Sequence, residues 1–235
     1  MAQQFGVFAK HWQPGQVKTR LAAEIGFEPA ARLHRLSLET LLGRFCRVAD
    51  RHVLVFSPPE CGPEFAALVE AHAPPGPGCW SIEPQAAGDL GKRIEHYFAS
   101  AFARGAQRVV LIGSDSPTLP EAFVVEAFDR LSATDAVVGP TADGGYYLIG
   151  LSRLVPGLFD GIAWSTPAVM DQTLDRLNSG PCSYHILPSW YDVDTLADLI
   201  RLRGELAGHP PPELLPLRQF VEELVASSPD RRRPS

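Results

Sequence analysis

Short apolar segments alternate with amphipathic segments along most of the chain, and this alternation limits the folds that are available to it. Mostly apolar, often β-branched runs at residues 5–9, 52–56 and 108–112 are typical of buried strands. Between them, apolar residues recur at helical spacing over residues 28–47 and 90–103. The alternation predicts an α/β sandwich with a mainly parallel sheet, in which ligands bind at the carboxyl ends of the strands.

The same patterns locate the remaining elements. Further strands are predicted at residues 79–82, 135–139, 146–151 and 184–187, and further helices at residues 63–71, 121–131, 166–177 and 196–206. A Pro/Gly-rich segment at residues 72–78 indicates a loop. The chain has 235 residues, which suits one sizeable core. We therefore expect a single domain over residues 1–226 and a flexible polar tail over residues 227–235.

Charge and composition narrow the range of functions. The net charge is −6, so the molecule as a whole does not favour binding to nucleic acid. The four cysteines show neither a C-x-x-C pair nor the spacing of metal ligands, which favours free thiols in a reducing compartment. No apolar run approaches the roughly 18 residues that a membrane helix needs, and no basic-plus-apolar leader is visible. The sequence predicts a cytoplasmic protein without a membrane span, and it does not indicate an oligomeric state.

A cationic loop follows the first predicted strand. It runs from Lys10 to Arg20, turns at Gly15, and places Lys18 and Thr19 just before a predicted helix. Backbone N–H groups and the helix dipole favour anions at such a position, and the cationic side chains add full charges. The loop lacks the glycine spacing of a Walker A motif, because only two residues separate Gly15 from Lys18. The pattern therefore predicts phosphate binding, but not a P-loop NTPase.

Two acidic segments are candidates for metal binding. Asp115 lies in a turn directly after a predicted strand, where a carboxylate can hold Mg²⁺ or Mn²⁺ against phosphates or can cap the following turn. Asp192 and Asp194 are two residues apart and face the same way in an extended chain. Thr195 and Asp198 fit a capping box, which explains this segment better when it is taken alone. If the two segments are close in space, three carboxylates in one cleft favour a bound cation.

A glycine-rich turn with neighbouring aromatic residues is the third polar segment. Asp143, Gly144 and Gly145 are typical of a hairpin turn, but glycines also let a ligand approach the backbone closely. Tyr146 offers a ring face and a hydroxyl group. Trp164 precedes a predicted helix, and its ring is compatible with a core position as well as with a ligand platform. These five residues are candidates for acceptor binding, with a plain hairpin and core packing as the alternatives.

In this order, the polar segments resemble the bacterial DUF2064 family, whose members are glycosyltransferase-A-like. The matching stretches are residues 8–10, 14–21, 113–117, 139–150, 164–166 and 192–195. The chain departs from the family pattern at residues 11–13, His-Trp-Gln, where the family more often has an aromatic residue and a proline. The family is similar to the molybdenum-cofactor and phospholactate guanylyltransferases.

The resemblance implies a three-layer α/β/α sandwich of the nucleotide-diphospho-sugar transferase (GT-A) type. It implies that the first loop and Ser114 bind phosphates. It also implies a divalent metal, Mg²⁺ or Mn²⁺, with Asp115 as the leading ligand and Asp192 or Asp194 as a second. The turn at residues 143–145 would then face the acceptor.

These features leave three functional hypotheses. In the first, a glycosyltransferase uses a nucleotide-sugar donor, and a metal at Asp115 with Lys18 and Arg20 neutralises the leaving diphosphate. In the second, a nucleotidyltransferase couples an NTP to a phosphorylated small-molecule acceptor, with Lys10 adding a third cation. The third is a non-catalytic nucleotide-binding module, which the set of carboxylates disfavours. We predict a metal-dependent transferase of the first kind, a glycosyltransferase, with Lys18, Arg20 and Asp115 as its catalytic residues.

Overall fold

A seven-stranded sheet and eight α-helices make up most of the chain in the computed structural model, which describes residues 2–73 and 80–227. The strands are β1 (Gln3–Lys10), β2 (Arg51–Ser57), β3 (Trp80–Pro84), β4 (Arg108–Gly113), β5 (Ala136–Pro140), β6 (Tyr146–Leu151) and β7 (Tyr184–Ile186). The helices are α1 (Thr19–Ile25), α2 (Phe27–Arg44), α3 (Gly62–His72), α4 (Leu90–Ala103), α5 (Glu121–Arg130), α6 (Val169–Asn178), α7 (Leu196–Glu205) and α8 (Leu215–Ser227).

The sheet is mainly parallel. Its strand order is β3-β2-β1-β4-β6-β5-β7. Strands β1 to β4 pair in parallel, β5 pairs in parallel with β7, and β6 runs antiparallel to both β4 and β5. The carboxyl ends of β1 and β4 therefore lie side by side at one edge of the sheet, and the loops that follow them meet there.

Each face of the sheet is covered by helices because side chains alternate between the two faces along a strand. On β2, Leu54 and Phe56 belong to the core that packs under α2, α3 and α5, whereas Val53 and Val55 belong to the core under α4 and α6. A third, smaller apolar cluster joins α1, α2, α7 and α8. The result is the predicted three-layer α/β/α sandwich with a mainly parallel sheet.

Most predicted elements are present, with ends shifted by a few residues. The helix predicted from residue 166 begins only at Val169, and α8 was not predicted. Pro216 lies at the second position of α8, where a proline is tolerated because its missing N–H would have no partner within the helix. Residue 227, which was predicted to begin the tail, is the last residue of α8. The rest of the predicted tail, residues 228–235, lies outside the described residues. So do residues 74–78 of the predicted loop and Cys79 of the predicted strand.

Within the described residues, no helix is both long enough and apolar enough to cross a membrane.

Candidate functional site

Three loops that are far apart in the sequence meet at the carboxyl edge of the sheet. The cationic loop follows β1, Asp115 follows β4, and the segment containing Asp192 and Asp194 precedes α7. The backbone N–H of Val193 donates to the carbonyl oxygen of Asp115 at 2.9 Å, which ties the last two loops together. Val193 is fully buried, so the carboxylates on either side of it are held on a fixed backbone. The structure thus brings the predicted cations and carboxylates into one cluster.

Lys18 lies at the centre of this cluster. Its side chain is only 1% exposed, and its ammonium contacts Asp115 Oδ1 and, at 3.2 Å, Asp194 Oδ1. Burial by itself would lower the pKa of Lys18, but the charges of Asp115 and Asp194 outweigh it and raise that pKa above the ordinary value. Arg20 donates from Nη2 to Asp194 Oδ2 at 2.6 Å, so this carboxylate bridges the two cations.

The cationic side chains, rather than a helix terminus, dominate the loop. Helix α1 has only seven residues, and Lys18 precedes it in the left-handed conformation (φ 49°) without a side-chain capping bond. This conformation is uncommon for a residue with a Cβ atom and is held here by the buried ion pairs of the ammonium group. Gly15 adopts φ 81° in the preceding turn. It does not line the cleft, so its role in the structure is to form the turn and the prediction that it contacts nucleotide is not supported by its location.

His34 is a member of the cluster that sequence reasoning missed. Its Nε2 lies 3.0 Å from the carbonyl oxygen of Lys10, which can only accept, so Nε2 carries a proton. Its Nδ1 lies 3.5 Å from Asp115 Oδ1. His34 lies four residues after buried Ala30 and four before buried Leu38, on the buried side of α2. A histidine within that apolar stripe was the available signal.

The environments of Asp115 and Asp192 differ. Asp115 keeps 40% of its side-chain surface open to the cleft. Burial would raise the pKa of Asp115, but the charge of Lys18 outweighs it and holds that pKa below its usual range. Burial and the negative charge of Asp115 instead raise the pKa of Asp192, whose Oδ1 accepts a 2.6 Å hydrogen bond from Ser116. The protein alone therefore opposes ionisation of both carboxyl groups together.

The capping explanation of the segment at residues 192–198 is also confirmed. Thr195 accepts from the backbone N–H of Asp198, and Asp198 accepts from the backbone N–H of Thr195, as in a capping box for α7. The Asp198 carboxylate accepts from the backbone N–H of Asp194 as well, at 3.1 Å. The cap accordingly uses Thr195 and Asp198 and leaves the side chains of Asp192 and Asp194 to face the cluster.

The donor set is compatible with a magnesium or manganese ion that is completed by phosphate. Within residues 2–73 and 80–227, no group of three or more His, Cys, Asp or Glu side chains is arranged to hold a metal. Mg²⁺ does not require such a cage, because it is usually bound by one or two carboxylates together with substrate phosphates and water. Asp115 opens onto the cleft, and Asp194 is 28% exposed, so both have oxygen atoms within reach of a ligand there.

A cleft of about 620 Å³ opens beside this cluster. Its walls come from the carboxyl ends of β1 and β4, from the cationic loop, and from the N-terminal turn of α4. The predicted residues that line it are Lys10, Lys18, Thr19, Arg20, Ser114, Asp115 and Asp194. Residues that line it without having been predicted include His34, Gln85, Leu90, Arg93 and Ser165. Gln85, Leu90 and Arg93 carry no local motif that we identified, because they reach the cleft through tertiary packing.

A second cavity of about 270 Å³ shares Arg20 and Asp194 with the main cleft. It is lined by four carboxylates, those of Asp143, Asp192, Asp194 and Asp198. Asp143 Oδ1 accepts from Thr141 Oγ1 at 2.6 Å, which holds it at the rim. Of the residues predicted to bind an acceptor, Asp143 is the one that lines this cavity.

The other predicted acceptor residues pack against the protein. Gly144 and Gly145 form the β5–β6 hairpin turn, and a Cβ atom on Gly144 would lie 2.1 Å from the carbonyl oxygen of Pro167. The ring of Tyr146 is half-buried and meets Trp164 edge-on, with ring centroids 6.4 Å apart. None of these four lines either cavity. The hairpin and packing alternatives fit these contacts, and the backbone of Pro167 fills the space beside Gly144; acceptor binding by these four residues stays a prediction.

Comparisons with known proteins agree with this architecture. The model of the family described as "Uncharacterized protein conserved in bacteria (DUF2064)" matches residues 47–166, a segment that includes Asp115 and Asp143. A "putative nucleotide-diphospho-sugar transferase" from Desulfovibrio desulfuricans G20 has a similar structure, with a TM-score of 0.85, 32% sequence identity and 96% of each chain covered. No curated protein matches the chain in sequence.

More distant structures share the fold. A nucleotidyl transferase from Methanothermobacter has a TM-score of 0.60 at 13% identity, covering 87% of this chain and 97% of its own. A 4-diphosphocytidyl-2C-methyl-D-erythritol synthase from Anaerococcus prevotii has a TM-score of 0.56 at 12% identity, covering 88% of this chain and 99% of its own. At these identities the likeness concerns the fold alone.

Proposed function

The chain belongs to the bacterial DUF2064 family, and from that premise we propose that it is a metal-dependent transferase that uses a nucleotide-sugar donor. The likeness to a nucleotide-diphospho-sugar transferase over nearly the whole chain supports a nucleotide-binding transferase. Glycosyl transfer is the more specific part of the proposal. The observation that carries the proposal of a nucleotide-binding transferase is the cluster of ion-paired cations and carboxylates at the carboxyl edge of the sheet.

The balance of charge supports metal dependence. Within the ion-paired cluster, the two positive charges of Lys18 and Arg20 are matched by the two negative charges of Asp115 and Asp194, while the raised pKa of Asp192 disfavours a third negative charge. Lys18 and Arg20 already hold Asp115 and Asp194 in ion pairs, so little net positive charge is left to attract a diphosphate. A divalent cation shared between Asp115 and the phosphates would supply that attraction.

The residues around the cleft suit the departure of a diphosphate. When an acceptor oxygen bonds to the anomeric carbon, the bond from that carbon to the diphosphate breaks and negative charge grows on the leaving oxygen. Lys18 would offset this charge from a buried position, and Arg20 from an exposed one that its ion pair with Asp194 orients; cations oriented in advance lower the barrier more than mobile cations would. Their ion pairs with Asp115 and Asp194 keep both cations oriented before substrate binds.

The second cavity favours glycosyl transfer over the coupling of an NTP to a phosphorylated acceptor. Its lining has four carboxylates and one cation, Arg20, which is already paired with Asp194. A phosphorylated acceptor would be repelled there, whereas a neutral, hydroxyl-rich acceptor could donate hydrogen bonds to the carboxylates. Nucleotidyl transfer therefore stands as the second candidate, supported by Lys10 as a third cation in the main cleft.

Isothermal titration calorimetry with UDP- and GDP-sugars and with NTPs, each with and without Mn²⁺, tests the proposal. We expect binding of a nucleotide-sugar that depends on the metal and is lost in Asp115→Asn. Asp175→Asn, at an exposed position of α6, is the matched control and should bind as the wild type does. Binding of NTPs alone would favour nucleotidyl transfer. Binding without turnover of any donor would favour a non-catalytic module, and the absence of any nucleotide binding would overturn all three.

A further inference from the structure

His34 has one ring nitrogen without a partner. The side chain is only 4% exposed, and it lines the main cleft. Its Nε2 donates to the carbonyl oxygen of Lys10 at 3.0 Å, which determines the tautomer of the neutral ring. Its Nδ1 is buried and has no hydrogen-bond partner in the part of the chain that the structure describes. In the neutral ring, Nδ1 therefore carries a lone pair that is available to a cation.

This nitrogen faces Asp115, the leading candidate for a metal ligand. Nδ1 lies 3.5 Å from Asp115 Oδ1, and a lone pair and a carboxylate oxygen do not attract each other unless a positive charge lies between them. For bond lengths of about 2.1 Å, two ligands of one ion lie about 3.0 Å apart in octahedral and about 3.4 Å apart in tetrahedral coordination. The observed separation is thus close to that of two ligands of a single metal ion.

The bond to Lys10 is of the kind that orients a metal-binding histidine. Such a histidine usually donates its other ring N–H to a carboxylate, a backbone carbonyl group or water. Lys10 is the last residue of β1, and His34 lies on the buried side of α2, so the ring is held between a strand of the sheet and a helix. The position of Nδ1 beside Asp115 is therefore set by the protein itself.

The Lys18 ammonium contacts the same Oδ1 atom of Asp115 and would compete with a metal ion for it. Lys18 also contacts Asp194, at 3.2 Å, so it keeps a carboxylate partner when Asp115 binds a metal ion. The Asp115 side chain is 40% exposed, which leaves space for the carboxylate to rotate towards the cleft. Exchange of the ammonium for a metal ion at Asp115 therefore leaves neither cation without an anionic partner.

We propose that His34 binds the metal ion directly through Nδ1, together with Asp115, and that this nitrogen makes the site prefer Mn²⁺ to Mg²⁺. The proposal rests on the proposed function, because it takes the metal ion and the phosphates to lie at Asp115 and Lys18. Mg²⁺ prefers oxygen ligands, whereas an imidazole nitrogen suits transition-metal ions better. Phosphate oxygens and water would fill the remaining positions around the ion.

Pulsed EPR of Mn²⁺ with inorganic pyrophosphate tests this assignment, since pyrophosphate has no nitrogen of its own. We expect the wild type to show the hyperfine coupling of a directly bound imidazole nitrogen. His34→Gln should lose this coupling, although its amide can still donate to the carbonyl oxygen of Lys10. Titration of Mg²⁺ against bound Mn²⁺ should show that the wild type prefers Mn²⁺ by about tenfold or more and that His34→Gln has a smaller preference.

His96→Gln is the matched control, because His96 is exposed on α4 and does not line the cleft. It should keep both the nitrogen coupling and the preference for Mn²⁺. Bound Mn²⁺ without nitrogen coupling in the wild type would overturn the role of His34 as a ligand and leave the proposed metal-dependent transferase intact. A coupling that survives in His34→Gln would overturn that role as well. If Mn²⁺ does not bind with pyrophosphate at all, the metal dependence of the proposed function fails first, and the inference fails with it.

Discussion

Replacement of Lys18 by Met tests whether the buried ammonium group holds the cluster together before any ligand binds. Met matches the length of most of the aliphatic stem and removes the charge. The Lys18 side chain is 1% exposed, and its ammonium contacts two carboxylates, those of Asp115 and Asp194. In the variant, Asp115 loses its cationic partner, while Asp194 keeps Arg20. In the folded variant, the negative charges of Asp115 and Asp194 then repel each other without the Lys18 ammonium between them.

The expected loss of stability follows from the exposure of these groups. Removing one partner of a fully buried ion pair costs about 3–5 kcal/mol, whereas exposed pairs contribute about 0–1 kcal/mol. The cation is buried, but the carboxylates are 40% and 28% exposed, so solvent screens part of their repulsion. We therefore expect Lys18→Met to lower the free energy of unfolding by about 2 kcal/mol. For a chain of this size, that corresponds to a fall in Tm of about 4–8 °C.

Urea denaturation at neutral pH, without divalent cations, measures this change. The double variant Lys18→Met/Asp115→Asn should recover about 1 kcal/mol relative to Lys18→Met, because the unpaired charge has been removed. Lys92→Met, which breaks exposed ion pairs, should stay within about 0.5 kcal/mol of the wild type. A free energy of unfolding for Lys18→Met equal to that of the wild type would refute the reasoning. Strict additivity of the Lys18 and Asp115 changes would refute it as well.

Two further predictions concern the hairpin turn and the buried carboxyl group. Gly144→Ala should lower the free energy of unfolding by at least about 2 kcal/mol, because the turn requires φ 88° and the new Cβ would meet the backbone of Pro167. Gly180 has open space around it, so Gly180→Ala is the control and should leave the free energy of unfolding nearly unchanged in the same denaturation assay. For Asp192, a folded-state pKa above the unfolded value of about 3.9 means that the wild type loses stability as pH rises above about 4. Asp192→Asn removes that ionisation. The free energy of unfolding of the variant minus that of the wild type should therefore increase from about pH 5 to about pH 8 in metal-free buffer. A difference that does not change with pH would contradict the raised pKa of Asp192.

Local sequence patterns were sufficient to predict most strands and helices, and also the cations and carboxylates of the site that follow β1 and β4. The strand at residues 108–112 and the helix at residues 90–103 were predicted because their periodicities extend over whole elements. The capping box of Thr195 and Asp198 was predicted because its partners are three residues apart. Helix α8 was missed because its flanking prolines resemble loop signals.

Residues that join the cleft through distant contacts could not be predicted in the same way. Gln85 bonds to carbonyl groups on two other strands, and Arg93 is oriented by Gln85. His34 reaches Asp115 from α2. These contacts depend on which strands are neighbours in the sheet, and a short segment of sequence does not determine the strand order.

The sequence by itself determined the residue types of the site and the ends of the strands that carry them. Apolar periodicity and turn signals extend over only a few residues. A cationic loop after β1 and a carboxylate after β4 could therefore be predicted from the sequence alone. Only the tertiary structure decided that Lys18 would pair with Asp194, a partner 176 residues away, and that Gly144 would lie against the backbone of Pro167. The physical reason is that burial and charge pairing depend on which chain segments meet, and that is decided by the packing of the whole sheet.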